Sequence, residues 1–424
     1  FFFQAHAAIR DAQESRGLGD VYKRQGNFMS EKENIVITGM ARTPMGAFQG
    51  TLKDASCSEL GAASIRAALE RSRVEADEVS ETIMGCVLPA GQGQAPARQA
   101  ALGAEMPLSV CCTTVNKMCG SGMKSAMLAH DLLMGGEERI LVAGGMESMT
   151  NAPYLLPRAR SGMRLGHGEV VDHMFLDGLE DAYDRGKLMG TFAEATAGRY
   201  GFSREAQDEF AIRSLTRAKK AIEEGIFKEE IAPVTIKGRK GDTVVETDET
   251  PLKANLEKIP TLKPAFAKDG TVTPANSSSI SDGAAALVMM RESTAEKRGI
   301  RPIARILGHT EHAHEPAWFT TTPVIAIKKL LEKLEWNAGD VDLYEINEAF
   351  AVVTMAAISG LELDPEKVNV HGGACALGHP IGASGARIIV TLLSALKHHG
   401  QRRGLASLCI GGGEATALSV ELIE

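Results

Sequence analysis

The chain has 424 residues, of which 44% are hydrophobic, and a formal net charge of −8 at pH 7. This length allows two or three domains with a large hydrophobic core. The mixed charge argues against a general nucleic-acid-binding surface, and the sequence holds no run of about 18 apolar residues that could span a membrane. We therefore expect neither a nucleic acid nor a membrane as a partner.

The seven cysteines are scattered, and their odd number and wide spacing argue against a disulfide framework. They are typical of a reducing compartment, so the sequence predicts a cytoplasmic protein. No Cys-x-x-Cys pair occurs, and the neighbours Cys111 and Cys112 do not have the spacing of zinc ligands. We expect no metal site.

The first residues differ from the rest of the chain. FFFQAHAAIRDAQESRGLGDVYKRQ has no basic start, no long apolar core and no small-residue cleavage site, so it is not a secretory signal. It is similar to a translated sequencing-adapter tail. We interpret residues 1–28 as a non-native or disordered leader and expect the protein to begin at Met29, because ENIVITGMARTP soon afterwards predicts a first strand.

Strands and helices are predicted in alternation along the remaining chain. Short apolar runs, often β-branched and followed by glycine or charge, predict buried strands at Ile35–Thr38, Ile140–Ala143, Ala285–Met290 and Leu405–Ile410. Longer stretches predict helices at Glu59–Arg71, Gly122–Met134, Thr322–Leu334 and Gly382–His398. Such alternation is typical of an α/β protein.

Three short motifs occur twice, in the same order and at a nearly constant offset. EADEVSETIMG at 75–85 is similar to NAGDVDLYEIN at 337–347, VNKMCGSG at 115–122 to VNVHGGAC at 368–375, and GGME at 144–147 to GGGE at 411–414. Together they predict two related halves. We assign 29–149 to the first half, with 279–301 returning to it, and 302–424 to the second half.

Residues 150–278 interrupt this repeat with prolines, glycines and the stretch PRARSGMRLGHGEVVDHM. A long helix is predicted from about Ser203 to Glu224, since Ser203 followed by Glu205 is a typical helix start. We interpret 150–278 as an inserted loop domain over one face of the two halves, where insertions often build ligand sites.

Cys119 stands between an extended run and a helix in TTVNKMCGSGMKSAM. The glycines after it permit a tight turn, and the pKa of a thiol falls at a helix N-terminus or beside a protonated histidine. The free N–H groups of the helix could also hold an oxyanion. This stretch alone leaves open the alternative of a buried structural cysteine.

Polar residues at strand ends and in glycine-rich turns follow in the second half. His379 lies between glycine and proline in HGGACALGHPIGASGARIIV, a restricted backbone that suits a positioned general base. Cys409 ends a strand before the three glycines of SLCIGGGEA. Asn347 and Glu348 follow the apolar strand in YEINEAFA.

In this order along the chain, CGSGMKS, NEAF, GHPIGASGAR and CIGGGEA resemble the thiolase family. The resemblance runs from about residue 34 to the end and includes GTVTPANSSSISDGAAAL, which closes the inserted domain. It implies an α/β fold, a five-layered αβαβα sandwich of two similar halves, each a mostly parallel sheet between helices, with the inserted loop domain covering coenzyme A. It also implies CoA thioesters as substrates, no permanently bound cofactor, and a homotetramer arranged as a dimer of dimers.

The resemblance also implies a role for each motif residue. Cys119 resembles the nucleophile that takes the acyl group from acyl-CoA, and His379 would lower its pKa and help hold the thioester oxygen. Asn347 resembles the residue that fixes a water in the same oxyanion hole. Cys409 resembles the second catalytic cysteine, which moves the α-proton of the incoming acetyl-CoA, and Gly411 would donate its N–H, with that of Cys119, to the oxyanion.

Positions near the pantetheine arm and the acyl end are matched as well: Met189, Phe266, Ser278, Phe319 and Phe350. Leu188, also assigned to this contact region, departs from the family pattern, because some acetoacetyl-forming bacterial members have histidine at this place before Met-Gly-Thr. A polar contact to the CoA arm could thereby be lost or moved to Lys187.

The resemblance implies an acyltransferase that condenses two acetyl-CoA reversibly to acetoacetyl-CoA and CoA through an acyl-cysteine. A broader-chain degradative 3-ketoacyl-CoA thiolase is the alternative, and a non-catalytic acyl-CoA- or lipid-binding relative is a more remote one. An inactive relative would be expected to lose a catalytic residue, but all four are present: Cys119, Asn347, His379 and Cys409. The second cysteine argues against a ketoacyl-carrier-protein synthase.

Two polar segments outside these motifs admit other interpretations. His309, His312 and His314 in GHTEHAHEP could hold a metal, but no fitted carboxylate or cysteine partner is evident, and a solvated loop is favoured. Lys219–Lys220 and Lys237–Lys240 are typical of a solvated face, with a contact to the CoA 3′-phosphate as the alternative.

Overall fold

The structure, a computed structural model, describes residues 33–423. The predicted leader at 1–28 and the predicted start at Met29 lie outside the described residues. Within the described range, no helix is long and apolar enough to cross a membrane.

This range contains fourteen strands: β1 Ile35–Arg42, β2 Gly46–Ala47, β3 Glu81–Gly85, β4 Cys111–Val115, β5 Ile140–Ser148, β6 Tyr154–Leu155, β7 Val171–Asp172, β8 Val234–Ile236, β9 Thr243–Val245, β10 Ser281–Arg291, β11 Ala304–Ala313, β12 Leu343–Ile346, β13 Arg403–Ile410 and β14 Glu414–Leu422. The same range contains eleven α-helices: α1 Cys57–Ser72, α2 Pro96–Gly103, α3 Ser121–Met134, α4 Met189–Tyr200, α5 Arg204–Glu223, α6 Glu249–Lys253, α7 Glu292–Arg298, α8 Thr322–Leu334, α9 Ala351–Leu361, α10 Ala374–Leu377 and α11 Ser384–His398.

One large sheet runs in the order β12-β13-β14-β11-β1-β10-β5-β3-β4, and the short β2 pairs with β10. The first half supplies β4, β3, β5, β10 and β1, and the second half supplies β11, β14, β13 and β12. The two parts meet where Ile35–Ile37 of β1 pairs with Ala304–Ile306 of β11. Strand β10, which follows the inserted segment, lies between β1 and β5.

The expectation that each sheet is mostly parallel is wrong. Strand β3 is parallel to β4 and β5, and β12 is parallel to β13, but the other pairings of the large sheet are antiparallel. Only three residues join β13 to β14, and a parallel connection needs a crossover of about a dozen residues or more. The matching pair in the first half, β5 and β10, keeps the antiparallel arrangement although a long insertion separates its strands.

The prediction of two similar halves is confirmed. Strands β3, β5, β10 and β1 have the same order and relative directions as β12, β13, β14 and β11. A 3-10 turn with a capping box precedes the first strand of each set, at Ala76–Glu78 and at Ala338–Asp340. The similar sequences before β3 and β12 therefore encode the same turn and strand.

The predicted layers are also present. Helices α1 and α2 pack on the outer face of the first sheet part, and α8 packs on the outer face of the second part. Helices α3 and α11 lie in the middle, where their side chains pack against strands of both parts. Helix α11 is buried on every side from Ser384 to Leu396, as a central helix must be. It begins two residues later than predicted, because Gly382 belongs to the turn before it.

The segment between β5 and β10 contains α4, α5, α6 and two small sheets, β6–β7 and β8–β9. Helix α5 matches the predicted long helix, and the Oγ of its N-cap Ser203 accepts a hydrogen bond from the Ala206 N–H at 3.1 Å. The stretch around β6 and β7 exposes large apolar side chains: Tyr154, Leu156, Met163, Leu165 and Val170.

A buried ionic cluster fastens this inserted segment to β1. Arg42 donates from Nε to Glu230 at 2.5 Å and from its two Nη atoms to Asp248 at 2.7 and 2.9 Å. Its guanidinium also lies over the Phe227 ring, 4.8 Å from the centroid. Removal of one partner from a buried ion pair costs about 3–5 kcal/mol, so this cluster holds the insertion in one position.

The histidine-rich segment is not the solvated loop that the sequence favoured. His309 and His312 lie in β11, paired with Leu418 and Ala415 of β14. His314 follows the strand, and its Nε2 lies 2.8 Å from the Trp318 carbonyl oxygen. Polar side chains on both faces hid the apolar alternation by which strands are recognised.

The two lysine pairs differ in their surroundings. Lys220, Lys237 and Lys240 are exposed, as expected of a solvated face. Lys219 is partly buried, and its Nζ donates to the Ala254 carbonyl oxygen at 2.8 Å. The Lys219 side chain therefore fixes the backbone at Ala254 and does not belong to a solvated face.

The starts of α3 and α11 approach each other at glycines. A Cβ on Gly122 would lie 2.7 Å from the backbone nitrogen of Ala386, and a Cβ on Gly385 would lie 2.3 Å from that of Met123. Both distances are shorter than real Cβ contacts, and backbone cannot move aside as a flexible side chain can. Glycine at both positions therefore sets the spacing between the two central helices.

We predict that Gly122→Ala destabilises the protein by about 1–3 kcal/mol, because the added methyl group overpacks a backbone contact. The measurement is the free energy of unfolding from chemical denaturation. Gly198→Ala is the matched control, since Gly198 is exposed in α4 with open space around it. It should be neutral or stabilising by up to about 1 kcal/mol. Equal effects of the two substitutions would contradict the packing argument.

Candidate active site

Cys119 lies at the apex of a tight turn between β4 and α3. Met118 before it has a left-handed backbone with φ 47°, which costs a non-glycine residue on the order of 1–3 kcal/mol. Ser121 holds this conformation: its Oγ accepts from the Lys117 N–H at 2.8 Å and donates to the Met118 carbonyl at 2.6 Å. The Asn116 side chain accepts from the Met118 N–H at 2.9 Å. The turn therefore fixes Cys119 in front of the helix N-terminus.

The second half of the chain closes over this turn. Ile410, the last residue of β13, packs so closely on Gly120 that a Cβ there would lie 2.4 Å from its Cδ1. Burial raises the pKa of the Cys119 thiol to about 11, although the N–H groups of Gly411 and of Cys119 itself act on the sulfur and lower the pKa. Cys119 is therefore a thiol at neutral pH, with two N–H donors beside its sulfur.

His379 lies buried in the turn before α11, and its tautomer follows from its neighbours. Its Nδ1 is 2.5 Å from Ser384 Oγ, and this hydroxyl donates to the Pro380 carbonyl at 2.9 Å. Because a hydroxyl has one proton, Nδ1–H is the donor to Ser384. The lone pair is therefore on Nε2, which the Asn347 side-chain nitrogen approaches at 3.4 Å.

Burial lowers the pKa of His379 to about 3, and the charge of Arg387 lowers it further. The sequence led us to expect that His379 would lower the pKa of Cys119, but the pKa of Cys119 is raised. The reason is loss of water around both groups, since His379 is buried and Cys119 is partly buried, and this disfavours an imidazolium and a thiolate alike. Both groups are neutral at rest, and Nε2 is the atom of His379 that can accept a proton.

Asn347 follows β12 and is buried, with its N–H donating to the Ser407 carbonyl at 3.0 Å. Its Oδ1 is one of the buried polar atoms without a hydrogen-bond partner among residues 33–423. Such an atom costs about 1–3 kcal/mol when it stays unpaired, and it often marks a functional position. It can accept a hydrogen bond from a water, which is the role that the resemblance implied.

Cys409 is fully buried in β13. Burial raises the pKa of its thiol well above the usual range, and the neighbouring Cys119 raises it further. Cys409 lies in one apolar cluster with several aromatic rings, of which four are here called the phenylalanine cluster: Phe192, Phe266, Phe319 and Phe350. They meet edge to face, with centroids 6.4 Å apart for the first and third and 6.0 Å apart for the second and fourth.

The other predicted contact residues lie around this cluster. Met189 packs against it, and its Sδ lies 3.5 Å from the place of a Cβ on Gly411. Ser278 Oγ donates to the Ala349 carbonyl at 2.9 Å, which ties the end of the insertion to the segment after Asn347. Leu188 precedes Met189 as the N-cap of α4 and is partly exposed.

A buried acid that the sequence did not predict joins the parts of the site. Glu147, near the end of β5, accepts hydrogen bonds from the N–H groups of Val87, Leu88 and Gly382 at 2.9–3.1 Å. Burial raises the pKa of Glu147 to about 7 against the effect of these donors. The GGME repeat contains Glu147, but its partners are far away in the sequence, so spacing could not reveal its role.

A second buried acid, Glu348, stabilises the part of the site around Asn347. Glu348 accepts from Ser214 Oγ at 2.7 Å, from Asn369 Nδ2 at 2.9 Å and from the Cys375 N–H at 3.0 Å. Ser214 belongs to the insertion, Asn369 to the turn before α10 and Cys375 to α10 itself. Glu348 therefore fixes the start of α10 relative to Asn347, its neighbour in the chain.

Comparisons with known proteins agree with this arrangement. A family model of the thiolase N-terminal domain matches residues 35–293, and one of the thiolase C-terminal domain matches residues 300–422. The chain belongs to the thiolase family. Acetyl-CoA acetyltransferase of Cupriavidus necator is 50% identical over 390 residues, which cover 92% of this chain and 99% of that relative. The mitochondrial acetyl-CoA acetyltransferase A of Xenopus laevis is 46% identical and covers 99% of each chain.

Solved structures show the same thiolase fold. The acetyl-CoA acetyltransferase of Bacillus anthracis is similar with a TM-score of 0.90 at 44% identity, covering 92% of this chain and 99% of that one. A thiolase of Ascaris suum in complex with coenzyme A is similar with a TM-score of 0.87 at 41% identity, covering 92% and 100%. The layers and halves described above are therefore those of a thiolase.

We predict that alkylation of Cys119 by iodoacetamide accelerates about tenfold per pH unit from pH 7 to pH 9 without a plateau. The thiolate fraction rises in this way below a pKa that burial has raised, and only the thiolate reacts. The measurement is peptide mass spectrometry, which separates Cys119 from the exposed Cys111. The control is Cys119→Ser, which should lack the alkylated peptide assigned to Cys119. A plateau below pH 8 would instead reveal a resting thiolate–imidazolium pair.

Proposed function

We propose that this thiolase is an acetyl-CoA C-acetyltransferase, an acyltransferase that condenses two acetyl-CoA reversibly to acetoacetyl-CoA and CoA. The observation that carries the proposal is that two thiols, Cys119 and Cys409, are neighbours at the end of β13, close to the turn that contains the neutral His379. Two thiols suit a reaction with one covalent step and one proton transfer at carbon. The proposed substrates are CoA thioesters, held under the segment 150–278.

In the proposed first step, His379 Nε2 takes the proton of Cys119 while the sulfur attacks the thioester carbon. The protonated Nε2 and a water on Asn347 then donate to the thioester oxygen. When the carbon–sulfur bond of the substrate breaks, Cys409 gives its thiol proton to the leaving CoA thiolate, so that Cys409 becomes a thiolate while His379 stays protonated. CoA leaves as a thiol, and the acetyl group remains on Cys119.

In the proposed second step, Cys409 acts as a thiolate and removes an α-proton from a second acetyl-CoA. The resulting carbon nucleophile attacks the acetyl group on Cys119, and the N–H groups of Cys119 and Gly411 stabilise the oxyanion. Cys119 then leaves as a thiolate and takes the proton that His379 has held since the first step. Cys409 has regained from carbon the proton that it gave to CoA, and His379 is neutral again, so the enzyme returns to its starting state.

The phenylalanine cluster packs together with Cys409 and supports a short acyl group, because bulky rings beside this cysteine would leave little room for a longer one. The relatives in Cupriavidus necator, Xenopus laevis and Bacillus anthracis are named acetyl-CoA acetyltransferases, which supports the same substrate. Leu188 favours the alternative, a 3-ketoacyl-CoA thiolase of broader chain length, because an apolar residue there suits a more apolar pocket.

The proposal includes a homotetramer, a dimer of dimers, in the cytoplasm. The exposed apolar side chains around β6 and β7 support an assembly that buries them, since contiguous apolar patches on a surface mark interaction sites. The cytoplasmic location stays a prediction, because a relative from Xenopus laevis is named as mitochondrial.

Thiolytic cleavage by purified protein that begins at Met29 tests the substrate. With CoA present, we expect cleavage of acetoacetyl-CoA and little cleavage of 3-oxo-octanoyl-CoA or 3-oxohexadecanoyl-CoA, because the phenylalanine cluster limits the acyl pocket. Comparable or faster cleavage of the longer substrates would replace the proposal by the broader-chain thiolase. No cleavage of any substrate would instead indicate a non-catalytic acyl-CoA-binding protein.

Two variants test the division of roles between the cysteines. Cys119→Ala should lower thiolysis by more than about 1,000-fold, because no acyl-enzyme can form. Cys409→Ala should slow carbon–carbon bond formation about 10²–10⁴-fold yet leave an acetyl group detectable on Cys119 by mass spectrometry. If Cys409→Ala blocks acetylation as fully as Cys119→Ala, the assigned roles are wrong.

A further inference from the structure

Two imidazoles and a carboxylate converge between α3 and β11. His130 Nδ1 lies 3.1 Å from Asp131 Oδ1, and His309 Nε2 lies 2.9 Å from the same oxygen. The two nitrogens are 3.3 Å apart, and the rings are nearly perpendicular. The two histidine side chains are 16% and 13% exposed and the aspartate side chain 60%, so solvent reaches the triangle mainly at its carboxylate.

The three residues come from different halves of the chain. His130 and Asp131 are consecutive near the end of α3, and His309 lies in β11, 178 residues after the aspartate. The sequence had offered His312 as a partner for His309, but its Nδ1 lies 3.1 Å from Lys329 Nζ of α8 instead. The carboxylate partner of His309 is therefore Asp131, which the fold brings close, and not a residue of the local histidine motif.

The triangle has the dimensions of a metal site. Zinc bonds to nitrogen and carboxylate oxygen are about 2.0–2.2 Å long, so two ligand atoms of a tetrahedral zinc lie about 3.3 Å apart. Two histidines and one carboxylate form a ligand set that leaves a fourth position for water. The negative charge of Asp131 and the C-terminal end of α3 both favour a cation. Lys333 is close, but its Nζ donates to the backbone carbonyl of His309 at 3.1 Å.

Another histidine cluster is a weaker candidate for the same chemistry. His371, His398 and His399 also bring three ring nitrogens together. That cluster supplies no carboxylate, and the positive charges of Arg217 and Lys220 act on its rings. A cation bound there would face uncompensated repulsion.

We propose that His130, Asp131 and His309 bind one divalent transition-metal ion of the zinc class and thereby link α3 to β11. The metal would lie about 14 Å along the helix axis from Ser121, the first residue of α3. It is therefore outside the candidate active site and serves to join the two halves of the chain. Without a metal, the same geometry would be a carboxylate that accepts one hydrogen bond from each imidazole.

Metal titration of the untagged full-length chain, first stripped with EDTA and desalted, tests this proposal. Zn²⁺ is followed by calorimetry, and Co²⁺ by the visible absorption of its tetrahedral complexes. We expect one equivalent per chain and a rise of the thermal midpoint with Zn²⁺. Asp131→Asn and His309→Asn should each weaken binding by more than about tenfold, since even an outer-shell partner contributes 10–100-fold.

Two control variants separate this site from its neighbours. His312→Asn alters the same strand at a side chain with other contacts, and His399→Asn alters the rival cluster; both should keep full binding. Unchanged thiolysis by all four variants shows that each is folded. The proposal is overturned if only His399→Asn loses metal binding. It is also overturned if His309→Asn binds the metal as tightly as the unaltered chain does. Absence of binding at micromolar metal concentration would also overturn the proposal, and the three residues would then form only a hydrogen-bonded triad.

Discussion

The backbone contact between the starts of α3 and α11 is the constraint on which the site depends. Gly122 and Gly385 have no Cβ, and each faces backbone atoms of the other helix at distances that no side chain allows. The Cys119 turn precedes one of these helices and the His379 turn precedes the other. Because both turns end at this contact, a small change in its spacing would move Cys119 and His379 relative to each other.

Burial then decides the protonation states at the site. The pKa of Cys119 is raised and the pKa of His379 is lowered, so the resting pair is neutral. A neutral pair holds no charge in an apolar surrounding before substrate binds, and the two N–H donors beside the sulfur stabilise charge only when it develops. The same burial raises the pKa of Glu147, an acid that the site uses to hold backbone N–H groups.

Buried acids and arginines connect the site to the rest of the molecule. Glu147 joins the loop after β3 to the His379 turn, and Glu348 joins the insertion to α10. Arg42 binds the insertion through Glu230 and Asp248. These contacts cross between segments that are distant in the chain, so the position of the insertion over the site depends on a few charged groups that have no contact with water.

The sequence by itself determined the two halves, the alternation of strands and helices, the long helix after Ser203 and the four motifs. These features are local: a strand, a capped helix start or a glycine turn depends on neighbouring residues, and local patterns repeat where a fold repeats. The strand directions, the neutral state of Cys119 and His379, and the role of Glu147 were decided only by tertiary structure. The same is true of His309, whose carboxylate partner lies in the other half. Hydrogen-bond partners and loss of water depend on residues far apart in the chain, and neither spacing nor composition records which of them the fold brings together.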